Sequence, residues 1–160
     1  DIILEYVDEI VEVSDNEIAN AILFLLEKHK LIVEGAGAVA TAAIMHRKVD
    51  VEDQKVCSIV CGGNIDVTML SLIIDKGLVK SFRKMNLIVT LMDKPGALMR
   101  LTDVLRQSEA NIVQIDYDRN SVKLEFGEAH VTIAVETKGE EHQKLIRENL
   151  KQSGYRFKQI

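Results

Sequence analysis

A cysteine, two glycines and an asparagine form the first group whose residue types could do chemistry: Cys61, Gly62, Gly63 and Asn64. The continuous apolar run 56–61 predicts a strand buried on both faces of a parallel sheet, and the apolar spacing after it predicts a helix. Glycines let the backbone approach a ligand, and a helix N-terminus favours an anion. A thiol at the strand end could contact a heteroaromatic nitrogen. The alternative is an ordinary tight turn with a buried structural cysteine.

A second pair of glycines, Gly35 and Gly37, directly follows Glu34. The pair predicts either a turn that faces a ligand or close packing of a helix over 34–45, and the sequence leaves both open. Taken alone, Glu34 is interpreted as a helix cap or a surface acid rather than a cofactor contact.

The loop that starts at Asp93 indicates a different chemistry, because Pro95 and Gly96 turn the chain between a predicted strand and a predicted helix. Unpaired amides at a helix N-terminus could hold a carboxylate, and nearby apolar residues could hold a side chain. A small amino acid would suit such a loop. The alternative is a plain turn that uses proline and glycine only for geometry.

Other chemistries find no support in the residue spacing. The four histidines have no cysteine or carboxylate at metal-ligand spacing, so no metal site is expected. No Walker loop, nucleophile elbow or Ser-His-Asp set is present. A net charge of −5 and only 4% aromatic residues argue against a nucleic-acid partner.

The sequence also suggests a compartment. No apolar run approaches the roughly 20 residues of a membrane span, and neither a signal peptide nor a disulfide framework is found. On a strand, Cys57 and Cys61 would lie roughly 13 Å apart, too far to pair. We therefore expect a cytoplasmic protein without a membrane partner. The chain starts at Asp1 rather than Met, which leaves open that the natural N-terminus is missing.

The first half predicts part of an α/β layer structure. Residues 2–13 are β-rich, and Ser14 to Glu17 match a capping box that starts a helix ending near Lys30. A short strand or connector over 31–33, a helix over 34–45 and the strand 56–61 follow. A helix over 65–76 is predicted to stop at Gly77 as its C-cap.

The second half predicts a different plan after a linker over 78–84. Strands at 87–92, 112–117, 130–136 and 155–158 alternate with helices over 98–108 and around 145–150. Residues 118–128 connect the strand 112–117 to the strand 130–136. The order from residue 86 onward is βαββαβ, the split ferredoxin-like plan.

Several ordered motifs together resemble the C-terminal part of a pyridoxal-phosphate (PLP) dependent threonine dehydratase, or threonine ammonia-lyase, with one ACT domain. The motifs are residues 11–22, residues 33–38, residues 61–66, residues 93–98, and Asn111 with Ile112. The resemblance covers essentially the whole chain. It implies a partial fold-type-II PLP-enzyme segment over 1–84 and a ferredoxin-like ACT amino-acid-binding regulatory domain over 85–160.

The resemblance implies roles for the motif residues. In that family a serine or cysteine at the position of Cys61 faces the cofactor's pyridine nitrogen. A neutral group there leaves the nitrogen largely unprotonated, which suits β-elimination of a hydroxyl. Gly62, Gly63 and Asn64 would form the side of the cofactor site next to Cys61, and Glu34 and Gly35 would lie near the cofactor's edge. The residues implied to bind an effector are Asp93, Pro95, Gly96, Ala97, Leu98, Asn111 and Ile112.

One departure from the family limits the activity of this chain. The family's cofactor-binding lysine and glycine-rich phosphate loop have no counterpart in the sequence, so no catalytic residue is assigned and the chain alone is predicted to bind no PLP and to be inactive. The full-length parent would deaminate L-threonine to 2-oxobutanoate and ammonia. Its ACT domain would sense an amino acid such as isoleucine or valine and pair with a second copy.

Two other hypotheses stay open. The chain could be a non-catalytic amino-acid-binding ACT module in which residues 1–84 survive as a scaffold. It could also be a structural α/β fragment whose run 56–60 forms an apolar sheet edge that pairs with a neighbouring chain.

Overall fold

The computed structural model describes residues 2–120 and 124–160. It divides into two compact units, Asp1–Gly77 and Leu78–Ile160. The boundary between the units lies at the first residue of the predicted linker 78–84. The predicted connection 118–128 includes residues 121–123, which lie outside the described residues. No helix within the described residues is long and apolar enough to cross a membrane.

The first unit is helical, and its second helix starts at the predicted capping box. The Ser14 backbone N–H donates to Glu17 Oε2 over 2.7 Å, and the Glu17 N–H donates to Ser14 Oγ over 3.4 Å. Helix α2 (Asp15–Phe24) continues into a π-helical turn (Leu25–His29) and ends at Lys30 in a left-handed conformation. The bond from Ser14 and the ammonium of Lys48, 3.0 Å away, lower the pKa of Glu17 to about 2.

Small residues bring the helices of this unit close together. Helix α3 (Gly35–Met45) buries Ala38 and Ala42 against Ala21 and Ile22 of α2. Asp66 precedes helix α4 (Val67–Lys80), and its Oδ1 accepts hydrogen bonds from the Thr68 and Met69 amides. The helix contributes Ile73 to the same core. The predicted helices are therefore confirmed, and the core consists of helix-to-helix contacts.

Three predictions for the first unit are wrong. Residues 56–61 form no strand, and Val56, Ile59 and Val60 are 47%, 77% and 37% exposed. An isolated strand leaves its backbone groups unpaired, and the described residues of this unit supply no second strand. The β-rich stretch 2–13 contains a short exposed helix α1 (Ile2–Tyr6) and then no regular structure, because β-branched composition does not replace a partner strand.

Gly77 is the third of these errors, since it lies inside α4 rather than at its end. A Cβ at this position would overlap Cδ2 of Leu23. The glycine therefore permits a close approach between α4 and α2 instead of a left-handed cap.

The second unit has the predicted βαββαβ order. Its elements are β1 (Lys84–Met92), α5 (Ala97–Gln107), β2 (Asn111–Asp118), β3 (Glu128–Glu136), α6 (Glu140–Gln152) and β4 (Arg156–Gln159). The sheet has the order β2-β3-β1-β4, with antiparallel neighbours throughout. The mixed α/β class with a ferredoxin-like second unit is thereby confirmed.

One face of this sheet is buried by the two helices. Alternate residues of β1 and β3 point toward the helices, as the period of a strand requires. Leu101 and Leu105 of α5 and Ile146 and Leu150 of α6 are fully buried against them. The core side chains from the strands are Met85, Leu87, Val89, Leu91, Ala129, Val131, Ile133 and Val135.

The register of the sheet decides which loops meet. Met92 lies opposite Glu128, and the Asp93 N–H donates to the Gly127 carbonyl over 2.9 Å. On the other side of β3, Tyr117 lies opposite Val131 near the start of that strand. The end of β1, the start of β3 and the end of β2 therefore share one end of the sheet.

Candidate functional site

The turn at residues 62–64 is joined to Glu34 by two hydrogen bonds. The Glu34 N–H donates to the Gly62 carbonyl over 3.0 Å, and the Asn64 N–H donates to Glu34 Oε2 over 3.3 Å. We call residues 34 and 62–64 the Glu34 turn. Glu34 occupies the N-cap position of α3 without a side-chain capping bond, because its carboxylate reaches across to the turn instead.

Glycines at two positions make this contact possible. Gly62 has φ +69°, and a Cβ there would overlap the Glu34 side chain. A Cβ at Gly37 would overlap the carbonyl oxygen of Cys61, so Gly37 serves close packing rather than a ligand-facing turn. The structure thus joins Glu34 to residues 62–64, whereas the Cβ position of the following Gly35 lies 3.7 Å from Cγ2 of Ile18.

The thiol of Cys61 is exposed, as is that of Cys57, and neither is in a disulfide. A buried structural cysteine is therefore the wrong interpretation of Cys61. An accessible thiol beside the bare backbone of Gly62 and Gly63 fits the edge of a flat heteroaromatic ring, because no side chain of the two glycines shields it.

A second candidate site is a cleft of about 590 Å³ at one end of the sheet. We call it the Asp93 cleft. Its lining residues are Asp93, Lys94, Pro95, Gly96, Ala97, Leu98, Met99, Tyr117 and Arg119.

The start of α5 supplies hydrogen-bond donors to this cleft. Gly96, at φ +79°, is the N-cap and offers no side chain to the helix. The Ala97 N–H donates to the Lys94 carbonyl, whereas the N–H groups of Leu98 and Met99 find no acceptor within the described residues. These amides and the positive end of the helix dipole favour a carboxylate.

The other side of the cleft carries a carboxylate of its own. The Tyr117 hydroxyl donates to Asp93 Oδ1 over 2.9 Å, and Nη2 of Arg119 lies 3.5 Å from the same oxygen. The guanidinium of Arg119 also lies 5.8 Å from the centre of the Tyr117 ring. Burial, followed by the hydrogen bond to Asp93, raises the pKa of Tyr117.

Asn111 and Ile112 do not reach this cleft. Asn111 starts β2 opposite Glu136 and donates to its carboxylate over 2.7 Å, at the end of the sheet away from Asp93. The prediction missed Tyr117 and Arg119, although the βαββαβ order contains the necessary signal. In that topology the end of β2 lies at the same sheet end as the loop after β1.

Comparison with known proteins finds relatives over both halves of the chain. A family profile described as "Pyridoxal-phosphate dependent enzyme" matches residues 1–62. The L-threonine ammonia-lyase of Thermotoga maritima is 43% identical over 155 residues, which cover 97% of this chain and 38% of the relative. The predicted resemblance to threonine ammonia-lyases is confirmed.

A second relative extends the same match. The L-threonine ammonia-lyase of Geobacter sulfurreducens is 46% identical over 155 residues, covering 96% of this chain and 38% of the relative. The chain therefore spans 38% of the length of these curated relatives. Among solved structures, the match to prephenate dehydratase from Streptococcus mutans covers 48% of this chain and 40% of that chain, at 26% identity and a TM-score of 0.40.

The Glu34 turn yields a prediction about Gly62. Changing Gly62→Ala forces a left-handed non-glycine residue and a clash with Glu34, at a cost of about 1–3 kcal/mol. We expect faster hydrogen exchange at the amides of Glu34 and Asn64, measured by NMR. Gly63→Ala is the matched control, because its Cβ would meet nothing closer than 3.7 Å. Equal protection of both amides in the two variants would contradict the assignment.

Proposed function

We propose that this chain forms part of a PLP-dependent threonine ammonia-lyase, which converts L-threonine to 2-oxobutanoate and ammonia. The observation that carries the proposal is the joining of Glu34 to residues 62–64, with the Cys61 thiol accessible beside them. The alignment to the L-threonine ammonia-lyase of Thermotoga maritima, 43% identical over 97% of the chain, supports it.

The residues of the Glu34 turn and the adjacent Cys61 would have separate roles in holding the cofactor. The Cys61 thiol would face the pyridine nitrogen of the cofactor and leave it without a carboxylate partner. Because Gly62 and Gly63 have no side chains, the ring could lie close to their backbone. Glu34 would hold the turn in place by accepting the hydrogen bond of the Asn64 amide. When bound, PLP supplies an electron sink for the bond broken at Cα of the substrate.

A chimaera tests this function. We would replace the matching segment of the Thermotoga maritima relative by this chain and measure 2-oxo acid formation from threonine and serine. We expect activity from the chimaera and none from the 160-residue chain with added PLP, because the chain lacks the family's cofactor-binding lysine.

Two cysteine variants sharpen that experiment. Cys61→Ala in the chimaera should change the absorption spectrum of bound PLP and lower kcat, whereas Cys57→Ala, at another exposed cysteine, should change neither. A chimaera that binds PLP but forms no 2-oxo acid from either substrate would refute the proposal.

We further propose that the second unit is an ACT domain that senses an amino acid in the Asp93 cleft. The two unfilled amides at the start of α5 support a carboxylate site, and Pro95, Ala97 and Leu98 supply an apolar wall. The open alternative, a stand-alone amino-acid-binding module without catalysis, uses the same cleft. Failure of the chimaera together with binding in this cleft would favour that alternative.

Thermal unfolding of the chain with a panel of amino acids tests the sensing. A ligand at about 100 times its Kd stabilises the folded state by about 2.7 kcal/mol, which corresponds to a rise in Tm of several degrees. Isoleucine and valine lead the panel. Gly96→Val should remove the rise because φ is +79° there and its Cβ would lie 3.3 Å from Arg100 Nη1.

Gly154→Val is the control for that variant. Gly154 has nearly the same φ, +80°, but lies outside the Asp93 cleft with nothing near its Cβ position. It should lower the Tm of the free chain while leaving the rise intact. No rise with any amino acid, or a rise that survives Gly96→Val, would contradict the assignment.

Sedimentation velocity of the same samples reads out the proposed pairing of two copies. Strand β2 lies at a sheet edge and exposes Val113 and Ile115, so it offers an unpaired strand to a second copy. Antiparallel pairing of β2 about a twofold axis would bring Asn111 of one copy toward the Tyr117 end of the other. A monomer at every concentration, with and without isoleucine, would exclude this pairing.

A further inference from the structure

Thr41 is a buried polar residue in a helix that is otherwise apolar. Within the described helix Gly35–Met45 it is the only residue with a polar side chain, and it is 8% exposed. A β-branched residue is not favoured in a helix interior, and a buried hydroxyl without a partner destabilises the folded state. Thr41 Oγ1 lies 3.1 Å from Ser58 Oγ, and the two hydroxyls share a hydrogen bond. The hydroxyl of Thr41 therefore has its partner in the segment that leads to Cys61.

Ser58 is the matching exception in the run 56–61. It is half-buried, whereas the other residues of the run are exposed. The run contains no helix or turn, and in an extended chain successive side chains point to opposite sides. Because Ser58 points toward α3, the thiol of Cys61 faces away from that helix, in agreement with its exposure.

Helix α3 contacts the segment 58–64 at three places along one of its faces. The Glu34 turn lies at the start of the helix. Gly37 packs against the carbonyl oxygen of Cys61, and Thr41, one turn further on, bonds to Ser58. Helix positions three and four residues apart share a face. The segment therefore runs along α3 and is fixed on both sides of Cys61.

The two outer contacts leave little slack around Cys61. From Glu34 to Thr41 the helix rises roughly 10 Å, and an extended chain from Ser58 to Gly62 spans roughly 13 Å. A segment that is held at both ends over comparable lengths cannot bow far from the helix. Loss of the bond at Ser58 would leave Cys61 anchored only from the side of the Glu34 turn.

We propose that Thr41 is a positioning residue for Cys61: through Ser58 it fixes where the thiol stands against the pyridine nitrogen of the cofactor. The inference rests on the role proposed above for Cys61, and it adds the contact that holds this residue on the side away from the Glu34 turn. A displacement of about 1 Å at a reacting group can lower a rate about a hundredfold, so one hydrogen bond near Cys61 can affect the reaction.

Spin labelling of the 160-residue chain tests the positioning without the cofactor. A nitroxide on the exposed Cys61, in the Cys57→Ala background, reports the motion of the segment through its EPR line shape. We expect Thr41→Val, which removes the hydroxyl and keeps the branched shape, to shorten the rotational correlation time about twofold or more. Ser58→Ala should have the same effect, which keeps the test valid if Thr41→Val does not fold. Thr41→Ser keeps the hydroxyl and should restore most of the original line shape.

Thr102→Val is the matched control for these variants. Thr102 is also a helical threonine, but its hydroxyl donates to the Met99 carbonyl of its own helix over 3.0 Å. Its substitution should leave the line shape of the label at Cys61 unchanged. Unchanged motion of the label in both Thr41→Val and Ser58→Ala would overturn the inference.

A double-mutant cycle in the chimaera tests whether Thr41 acts through Cys61. Thr41→Val should change the absorption spectrum of bound PLP in the same direction as Cys61→Ala and lower kcat about tenfold, with KM within about twofold. In the Cys61→Ala background, Thr41→Val should have almost no further effect, because the group that it positions is gone. A structural role independent of the thiol would give additive effects instead.

The outcomes separate this inference from the proposed function. Additive effects of Thr41→Val and Cys61→Ala, or a spectrum that Thr41→Val does not change, would overturn the positioning role and leave the proposed function standing. A spectrum that Cys61→Ala does not change would overturn the proposed role of Cys61 and the inference with it. Faster motion of the label together with non-additive changes in the spectrum would support the inference.

Discussion

The antiparallel pairing of β1 with β3 is the interaction on which the Asp93 cleft depends. Its register runs from Lys84 opposite Glu136 to Met92 opposite Glu128, and it carries the alternating apolar residues that α5 and α6 cover. A slip of one residue would turn this apolar set toward solvent. The burial of the core therefore also fixes the position of Asp93 beside Gly127 and the distance from its carboxylate to Tyr117.

In the first unit, close backbone contact fixes the position of the candidate site residues. No strand pairing orders the described part of this unit, so the position of residues 61–64 depends on the hydrogen bonds to Glu34 and on the absence of side chains at Gly37 and Gly62. A further contact joins Thr41 Oγ1 of α3 to Ser58 Oγ over 3.1 Å. Small residues thus determine the geometry of the Glu34 turn, as strand register determines the geometry of the Asp93 cleft.

The sequence predicted most of the second unit because its signals are local. Period-two alternation, a proline-glycine turn and amphipathic helices each specify one element, and βαββαβ follows from their order. The run 56–61 failed because a strand needs a partner that local sequence does not contain, and Gly77 failed because a glycine inside a helix and one after it look alike. Tyr117 and Arg119 were missed because they meet Asp93 only through the register of three strands.

The most direct test of the account is a site-resolved NMR titration of the chain with L-isoleucine. We expect the largest shifts at the amides of Leu98 and Met99 and at residues 93 and 117, because the proposed amino-acid site is the Asp93 cleft that these residues line. Shifts confined to the first unit, or none at the start of α5 while isoleucine is bound, would contradict it.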